Sequence, residues 1–238
     1  MRSYFLVTAS AAALALGAGA LAQYRSSRSS IAEGMARPGT GLDEQGRALT
    51  RGVLQWFIIP LWTAAGVADW WCHRASAIEE TTGLKETFIH LAMLGEAAVP
   101  LIGGLALEID APLLGLMIAA FFVHEATAMW DVSYAVTARE VTPLEQHVHS
   151  FLEMVPLMAV AFVSVLHWPQ LRALAGLEVE TPRPLIRRKR EPLGIPYIAG
   201  TLGTLLSVEV LPYLEEAWRD WRAHPGRFEP PATRSATA

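Results

Sequence analysis

Four long apolar blocks follow one another in the middle of the sequence, and they limit the possible folds more than any other feature. Each block approaches the ~20 residues that an α-helix needs to cross a lipid bilayer. Their connections are short, so neighbouring helices are expected to pack antiparallel. The sequence therefore predicts an all-α fold, a polytopic transmembrane helix bundle with an antiparallel four-helix core. The four blocks cover about residues 52–73, 87–107, 112–136 and 143–168.

Composition agrees with membrane insertion and excludes several other classes of protein. Hydrophobic residues make up 52% of the 238 residues and charged residues 18%, which is more apolar than is usual for a soluble domain. The formal net charge of −4 gives no general attraction to nucleic acid, so nucleic acid is not an expected partner. The single cysteine, Cys72, excludes a disulfide framework and a multi-cysteine metal site. The lipid bilayer is the expected partner, and the bacterial inner (cytoplasmic) membrane is the expected location.

Less regular sequence flanks this core on both sides. The N-terminal apolar stretch ends in small side chains, which fits either a signal peptide or a first transmembrane helix. The distribution of Arg and Lys favours a cytoplasmic position for the basic run RRKR, but cleavage of a signal peptide would reverse this, so orientation stays open. The predicted organisation is a signal peptide or first transmembrane helix at 1–22, a polar linker at 23–50, the four-helix transmembrane core at 51–168, a basic connection at 169–192, an additional membrane or interfacial helix at 193–218, and a disordered tail at 219–238.

Ionisable side chains are unusually frequent at the ends of these apolar blocks. An ionisable residue at the centre of a spanning helix costs ~2.5–3.5 kcal/mol on insertion scales, so each one needs a partner or a function. The polar groups lie at the end of the first block, the start of the second, the end of the third and the start of the fourth. In an antiparallel bundle, all four of these positions lie at the same membrane face. We therefore expect the polar groups to meet there.

The spacing of these residues places acids and imidazoles on common helix faces. Asp69 and His73 are four residues apart, as are His149 and Glu153, and seven residues separate His124 from Asp131. These spacings lie on one stripe of an α-helix. Imidazole with carboxylate suits a transition metal, with two iron ions as the leading assignment and zinc as the alternative. The predicted metal ligands are Asp69, His73, His90, His124, Asp131, His149 and Glu153.

Other polar residues near the site are expected to have different roles. Glu96 and Glu125 lie off the ligand stripes and are candidate proton carriers. Glu145 is explained as structural, because Thr142, Pro143 and Glu145 form the start of a helix as a capping box does. His147 points roughly opposite to His149 on the same helix, so it is not expected to bind metal.

This combination resembles the integral-membrane histidine-box desaturases and hydroxylases, which hold a di-iron centre at one membrane face. The resemblance implies a helical membrane enzyme with two iron ions. The HxxxH and HxxHH boxes of that family are absent here, so the resemblance assigns a role to no particular residue.

Several functions fit the predicted site. The leading hypothesis is a membrane di-metal oxidoreductase that acts on a lipid-like or other apolar small molecule, with an electron-donor protein as a possible partner. A zinc-dependent hydrolase of lipid amides or esters is an alternative. A proton or cation transporter is a third, although a transport path would spread polar groups through the membrane. A b-type haem carrier would leave the carboxylates unexplained.

Overall fold

The computed structural model describes residues 42–178 and 187–230, and this part of the chain is all-α with no β-strand. The predicted segment 1–22, most of the predicted linker and the end of the predicted tail lie outside the described residues. Four described helices are long and apolar enough to cross a membrane. The prediction of a helical membrane bundle is therefore confirmed.

The first described helix is longer than the first apolar block. Helix α1 (Glu44–Val53) continues through one π-helical turn (Leu54–Ile58) into α2 (Ile59–Ser76). The side chain of Asp43 accepts a hydrogen bond from the backbone N–H of Gly46 and so caps the start of α1. The last residues of the predicted linker are therefore helical. α2 ends where Ala77 adopts the left-handed conformation, which turns the chain into a short 3₁₀ turn (Ile78–Glu80).

Three membrane-length helices follow, each long enough to span a bilayer. They are α3 (Leu84–Ala106), α4 (Ala111–Ala138) and α5 (Pro143–Leu166). The Asp110 side chain accepts a hydrogen bond from the backbone N–H of Leu113 and caps α4. The Thr142 hydroxyl accepts one from the N–H of Glu145, so the predicted start of α5 is confirmed. A short helix, α6 (Trp168–Leu174), comes after α5.

The last long helix also contains a π-helical turn. Helix α7 (Ile195–Leu205), the turn (Leu206–Val210) and α8 (Leu211–Ala223) form one continuous span. This helix passes the predicted boundary at residue 218, so the first residues assigned to a disordered tail are helical. Asp220 is buried there, which shows that this end of the helix packs against the bundle.

The packing of the helices brings five of them around one polar region. α3 packs on α4, α2 on α5, and α4 on α5, and α8 lies against α3 and the 3₁₀ turn. A small apolar core of Ile109, Leu113, Leu114 and Met117 lies at the opposite end of α4. Large apolar side chains such as Phe122 and Met129 face outward and are exposed, as is expected of surfaces that contact lipid.

Candidate metal centre

Nine buried or nearly buried ionisable side chains meet at one end of the bundle, and we call them the polar cluster. All have almost no exposed surface except His149, whose side chain is 11% exposed. Five different helices contribute them, so their proximity depends on the tertiary fold rather than on any one segment. The polar cluster consists of Asp69 and His73 of α2, Glu86 and His90 of α3, Asp131 of α4, Glu145 and His149 of α5, and Glu216 and Asp220 of α8.

One group of four residues in the polar cluster has the composition of a metal site. Asp69, His73, Glu145 and His149 each offer one atom, and these atoms all lie within 4.8 Å of one another. His149 Nε2 is 2.9 Å from Asp69 Oδ1, and His73 Nε2 is 3.5 Å from Asp69 Oδ2. This first ligand group provides two imidazoles and two carboxylates, a set that suits zinc or iron.

A second group shares no residue with the first. Glu86, His90 and Asp131 also offer atoms within 4.8 Å of one another, and His90 Nε2 is 3.1 Å from Asp131 Oδ2. The two groups are adjacent, because the rings of His73 and His90 are 4.5 Å apart between centroids. A third group, His73, His90 and Glu216, shares one histidine with each of these two groups, so the cluster could hold a metal ion in more than one way.

The spacing around His73 fits shared coordination better than hydrogen bonding. His73 Nε2 lies 3.5 Å from Asp69, 3.8 Å from Glu86 and 3.9 Å from Glu145, and it makes no hydrogen bond. Two ligands bound at ~2.1 Å to one tetrahedral ion are separated by about 3.4 Å. Asp131 Oδ1 is likewise buried without a hydrogen-bond partner. Buried polar atoms without partners are costly, so these atoms favour a bound cation.

Carboxylates outnumber cations in the polar cluster. Its six acids face three imidazoles and two arginines, so negative charge remains in excess even when every imidazole is protonated. Arg139 follows α4 and its side chain is 3% exposed, and Arg219 Nη2 lies 3.8 Å from Glu216. Burying unbalanced carboxylates is unfavourable, and metal cations would balance this excess.

Arg139 holds one carboxylate from each ligand group. Its Nε and Nη2 donate to Glu86 at 3.2 Å and 2.5 Å, and its Nη1 donates to Glu145 at 3.0 Å, with a further close hydrogen bond from Nη2. Although burial opposes the charged form, these hydrogen bonds raise the pKa of Arg139 above its usual range. The sequence interpretation of Glu145 as a capping residue is therefore incomplete. Its backbone N–H takes part in the cap, but its side chain is a fully buried member of the cluster.

Helix α8 supplies members of the cluster that the sequence prediction missed. Glu216 Oε2 is 3.3 Å from His73 Nδ1, and the Tyr213 hydroxyl donates to Asp69 at 3.0 Å. The Thr87 hydroxyl lies 2.9 Å from Glu216 and 2.6 Å from Asp220. A signal was present in the sequence, because Glu209, Tyr213, Glu216 and Asp220 follow the helical spacing i, i+4, i+7 and i+11.

His124 and Glu153, two predicted ligands, are not brought into either ligand group. His124 is on the stripe of Asp131, but seven residues correspond to about 10.5 Å along a helix, so it lies deeper in the bundle. There its Nδ1 is 3.7 Å from Glu96, which also accepts a hydrogen bond from Thr127 at 2.8 Å. Glu153 lies one turn beyond His149 and is half-buried. Both side chains nevertheless line a small cavity beside the ligand groups, so their role as metal ligands stays a prediction.

Glu125, the other candidate proton carrier, is half-buried, and its Oε1 has no hydrogen-bond partner. Neither Glu96 nor Glu125 belongs to a ligand group. His147 is exposed and packs against the ring of Phe151, away from the cluster.

Two cavities lie along the bundle axis and share part of their walls. A small cavity of about 50 Å³ is lined by residues of both ligand groups, including Asp69, His90 and His149. A larger cavity of about 490 Å³ extends toward the opposite end of the bundle. Trp62 and His124 line both cavities, so the large cavity leads toward the ligand groups.

The far end of the large cavity has the opposite charge from the polar cluster. Arg47, Arg51, Lys189 and Arg190 line it together with His167, and they outnumber the acids Glu108 and Glu191 there. Burial, with the nearby positive charges of Lys189 and Arg47, lowers the pKa of His167 to about 4. His167 is therefore neutral at physiological pH and lies far from the ligand groups, at the other end of α5.

Comparison of this chain with protein-family models, with curated proteins and with solved structures found no match. The description of the site therefore rests on its own geometry: a membrane-spanning helical bundle with buried clusters of imidazoles and carboxylates that could bind metal.

Proposed function

We propose that this chain is an integral membrane metalloenzyme with two metal ions, of the iron-type oxidoreductase class, acting on a lipid-like or other apolar molecule. The observation that supports it most is that two of the three ligand groups, one of four residues and one of three, have no residue in common. Imidazole and carboxylate ligands in such sets suit iron, and no thiolate takes part, because Cys72 belongs to neither group. We also propose the bacterial inner (cytoplasmic) membrane as its location.

Iron ions bound in these groups would supply activation of molecular oxygen. Insertion of one oxygen atom of O₂ into a C–H bond, with release of the other as water, consumes two electrons and two protons. An electron-donor protein is therefore a proposed partner. The residues of the chain itself would bind the ions, exclude water from the site and deliver protons. Glu96, which lies beside His124 at the shared wall of the two cavities, is the proposed proton carrier.

A zinc-dependent hydrolase is the second candidate, and one observation favours it. The first ligand group by itself, with two imidazoles and two carboxylates, has the number and type of ligands found around a tetrahedral zinc ion. In that case Asp131 or Glu86 would be the carboxylate that accepts a proton from a metal-bound water. Full occupancy by zinc alone, without a redox-active metal, would support this candidate over the oxidoreductase.

Two histidines on the same helix provide a matched test of the proposed ligands. His149→Ala should lower the metal affinity of the purified protein by about tenfold or more, because it removes an imidazole from the first ligand group. His147→Ala should leave metal content unchanged, because this side chain is exposed on the other face of α5. Elemental analysis after equilibrium dialysis measures both. Equal metal content in the two variants would contradict the assignment.

A further inference from the structure

The large cavity combines an apolar interior with one charged end. Its volume of about 490 Å³ lies in the range of about 300–1,000 Å³ found for small-molecule sites. Side chains such as Leu101, Met117, Phe121 and Val160 line its middle. Arg47, Arg51, Lys189 and Arg190 line the end far from the polar cluster and outnumber the acids Glu108 and Glu191, and the neutral side chains of Gln55 and Tyr197 also line the cavity. An occupant must therefore match an apolar interior and a positive end.

Glu108 and Glu191 lie near Arg47, Arg51 and Lys189, but none of these three cations forms an ion pair with an acid within the described residues. Lys189 Nζ donates to the carbonyl oxygen of Gly104 at 2.5 Å, and Arg47 Nη1 donates to that of Leu166 at 3.1 Å. Neither these two nor Arg51 forms an ion pair with a carboxylate in residues 42–178 or 187–230. The nearby Glu108 accepts a hydrogen bond from the backbone N–H of Arg190 instead.

The local electrostatics agree with an anion at this position. Burial, together with the positive charge of Arg51, lowers the pKa of Lys189. Four cations against two acids leave an excess of positive charge at this end of the cavity, and pairing with an anion would relieve the repulsion among the cations. A neutral or cationic head group would lack this stabilisation.

We propose that the large cavity binds a single-chain anionic amphiphile, an alkyl carboxylate or alkyl phosphate, with its head group between Arg47, Arg51 and Lys189. Its alkyl chain then fills the apolar interior and ends near Trp62 and His124. If the chain is the metalloenzyme of the proposed function, this amphiphile is its substrate class. The statement that the bound molecule is a substrate rests on that proposed function, whereas its binding does not.

The direction of the bound chain bears on the chemistry. The head group lies at the far end, so the chain would present C–H bonds, not an ester or amide of the head group, to the small cavity beside the ligand groups. This favours oxidation of the alkyl chain over hydrolysis of the head group.

Binding of radiolabelled palmitate to the purified full chain in a non-ionic detergent, with metal removed by a chelator, tests the proposal. We expect saturable binding that hexadecyl phosphate competes with strongly and that methyl palmitate and the corresponding alkylamine compete with weakly. Ala120→Phe should weaken binding by about tenfold or more, because Ala120 lines the cavity, whereas Ala119→Phe should not, because Ala119 faces outward. Lys189→Met should also weaken binding by about tenfold, and Arg188→Met, on the exposed neighbouring residue, should leave it unchanged.

Three results would overturn the proposal: non-saturable palmitate binding, equal competition by the alkylamine, or unchanged affinity in both Ala120→Phe and Lys189→Met. The second variant keeps the test valid if Ala120→Phe fails to fold. Metal content is measured in the same preparations before the chelator is added. Palmitate binding without stoichiometric metal in the undepleted protein would refute the metalloenzyme and leave the proposed amphiphile site standing. Stoichiometric metal without palmitate binding would refute the amphiphile site and leave the metalloenzyme standing.

Discussion

The two ends of the helix bundle differ in how they carry buried charge. At one end, acids exceed cations, and the six acids of the polar cluster are held close to three imidazoles and to Arg139. At the other end, Arg47, Arg51 and Lys189 face a cavity without a carboxylate partner in the described part of the chain. The first arrangement attracts cations and the second attracts anions. These two opposite charge distributions explain how one bundle could hold metal ions at one end and an anionic amphiphile at the other.

The comparison predicts that arginines at the two ends contribute very differently to stability. Arg139→Met should destabilise the metal-depleted protein by about 3–5 kcal/mol, because Glu86 and Glu145 would remain buried without their partner. Arg51→Met should change stability by less than about 0.5 kcal/mol, because Arg51 is exposed and unpaired among the described residues. Denaturant unfolding in detergent measures both free energies. Comparable losses of unfolding free energy in the two variants would contradict the proposed difference in buried charge between the two ends.

The contact between α2 and the π-helical turn before α8 gives a smaller effect. A Cβ atom on Gly66 would overlap Glu209 Oε2 and lie 2.7 Å from its Cδ, so Gly66→Ala should displace Glu209 and cost about 1–3 kcal/mol. Glu209→Ala added to Gly66→Ala should recover most of this loss, because it removes the clashing atoms.

Gly95→Ala is the matched control for that pair. Gly95 is an exposed glycine inside α3, and a Cβ there meets no atom within 4 Å. Its replacement should be neutral or stabilise the helix by up to about 1 kcal/mol. A loss in Gly66→Ala that persists in the double variant would show that the tight contact with Glu209 is not its cause.

The basic end should reveal itself through the pH dependence of stability. The pKa of His167 is lowered to about 4 by burial and by Lys189, Arg47 and Arg51, with Glu108 acting in the opposite direction. Between that value and the unfolded value of about 6.5, the unfolded chain binds more protons than the folded chain, so His167 destabilises the fold progressively as pH falls through this window. Thermal unfolding should therefore show a smaller loss on acidification from about pH 7 to about pH 4.5 for His167→Leu than for the natural chain. Parallel curves would contradict this account of the basic end.

The sequence predicted the helices, and the helix faces that carry the site, better than it predicted how deep each polar side chain lies along the bundle. Hydropathy and helix-start signals located α3, α4 and α5, and four-residue spacing identified Asp69 with His73. Spacing on a stripe does not separate residues at different levels, so it could not show that His124 lies outside the ligand groups while it lines the small cavity together with Asp131. The contribution of α8 was missed because charged residues dilute its apolar pattern, and their burial depends on helices distant in sequence. The burial of Glu145 depends in the same way on Arg139, a contact that a local capping pattern cannot contain.

Elemental analysis of the purified protein tests the central claim most directly. The account predicts two transition-metal ions per chain, with iron and its optical absorption for the oxidoreductase, and Asp131→Asn should reduce this to one ion, because it weakens only the second ligand group. Natural protein that binds no stoichiometric transition metal, even after dialysis against iron and zinc, would contradict it. The polar cluster would then be a network of ion pairs within a membrane bundle.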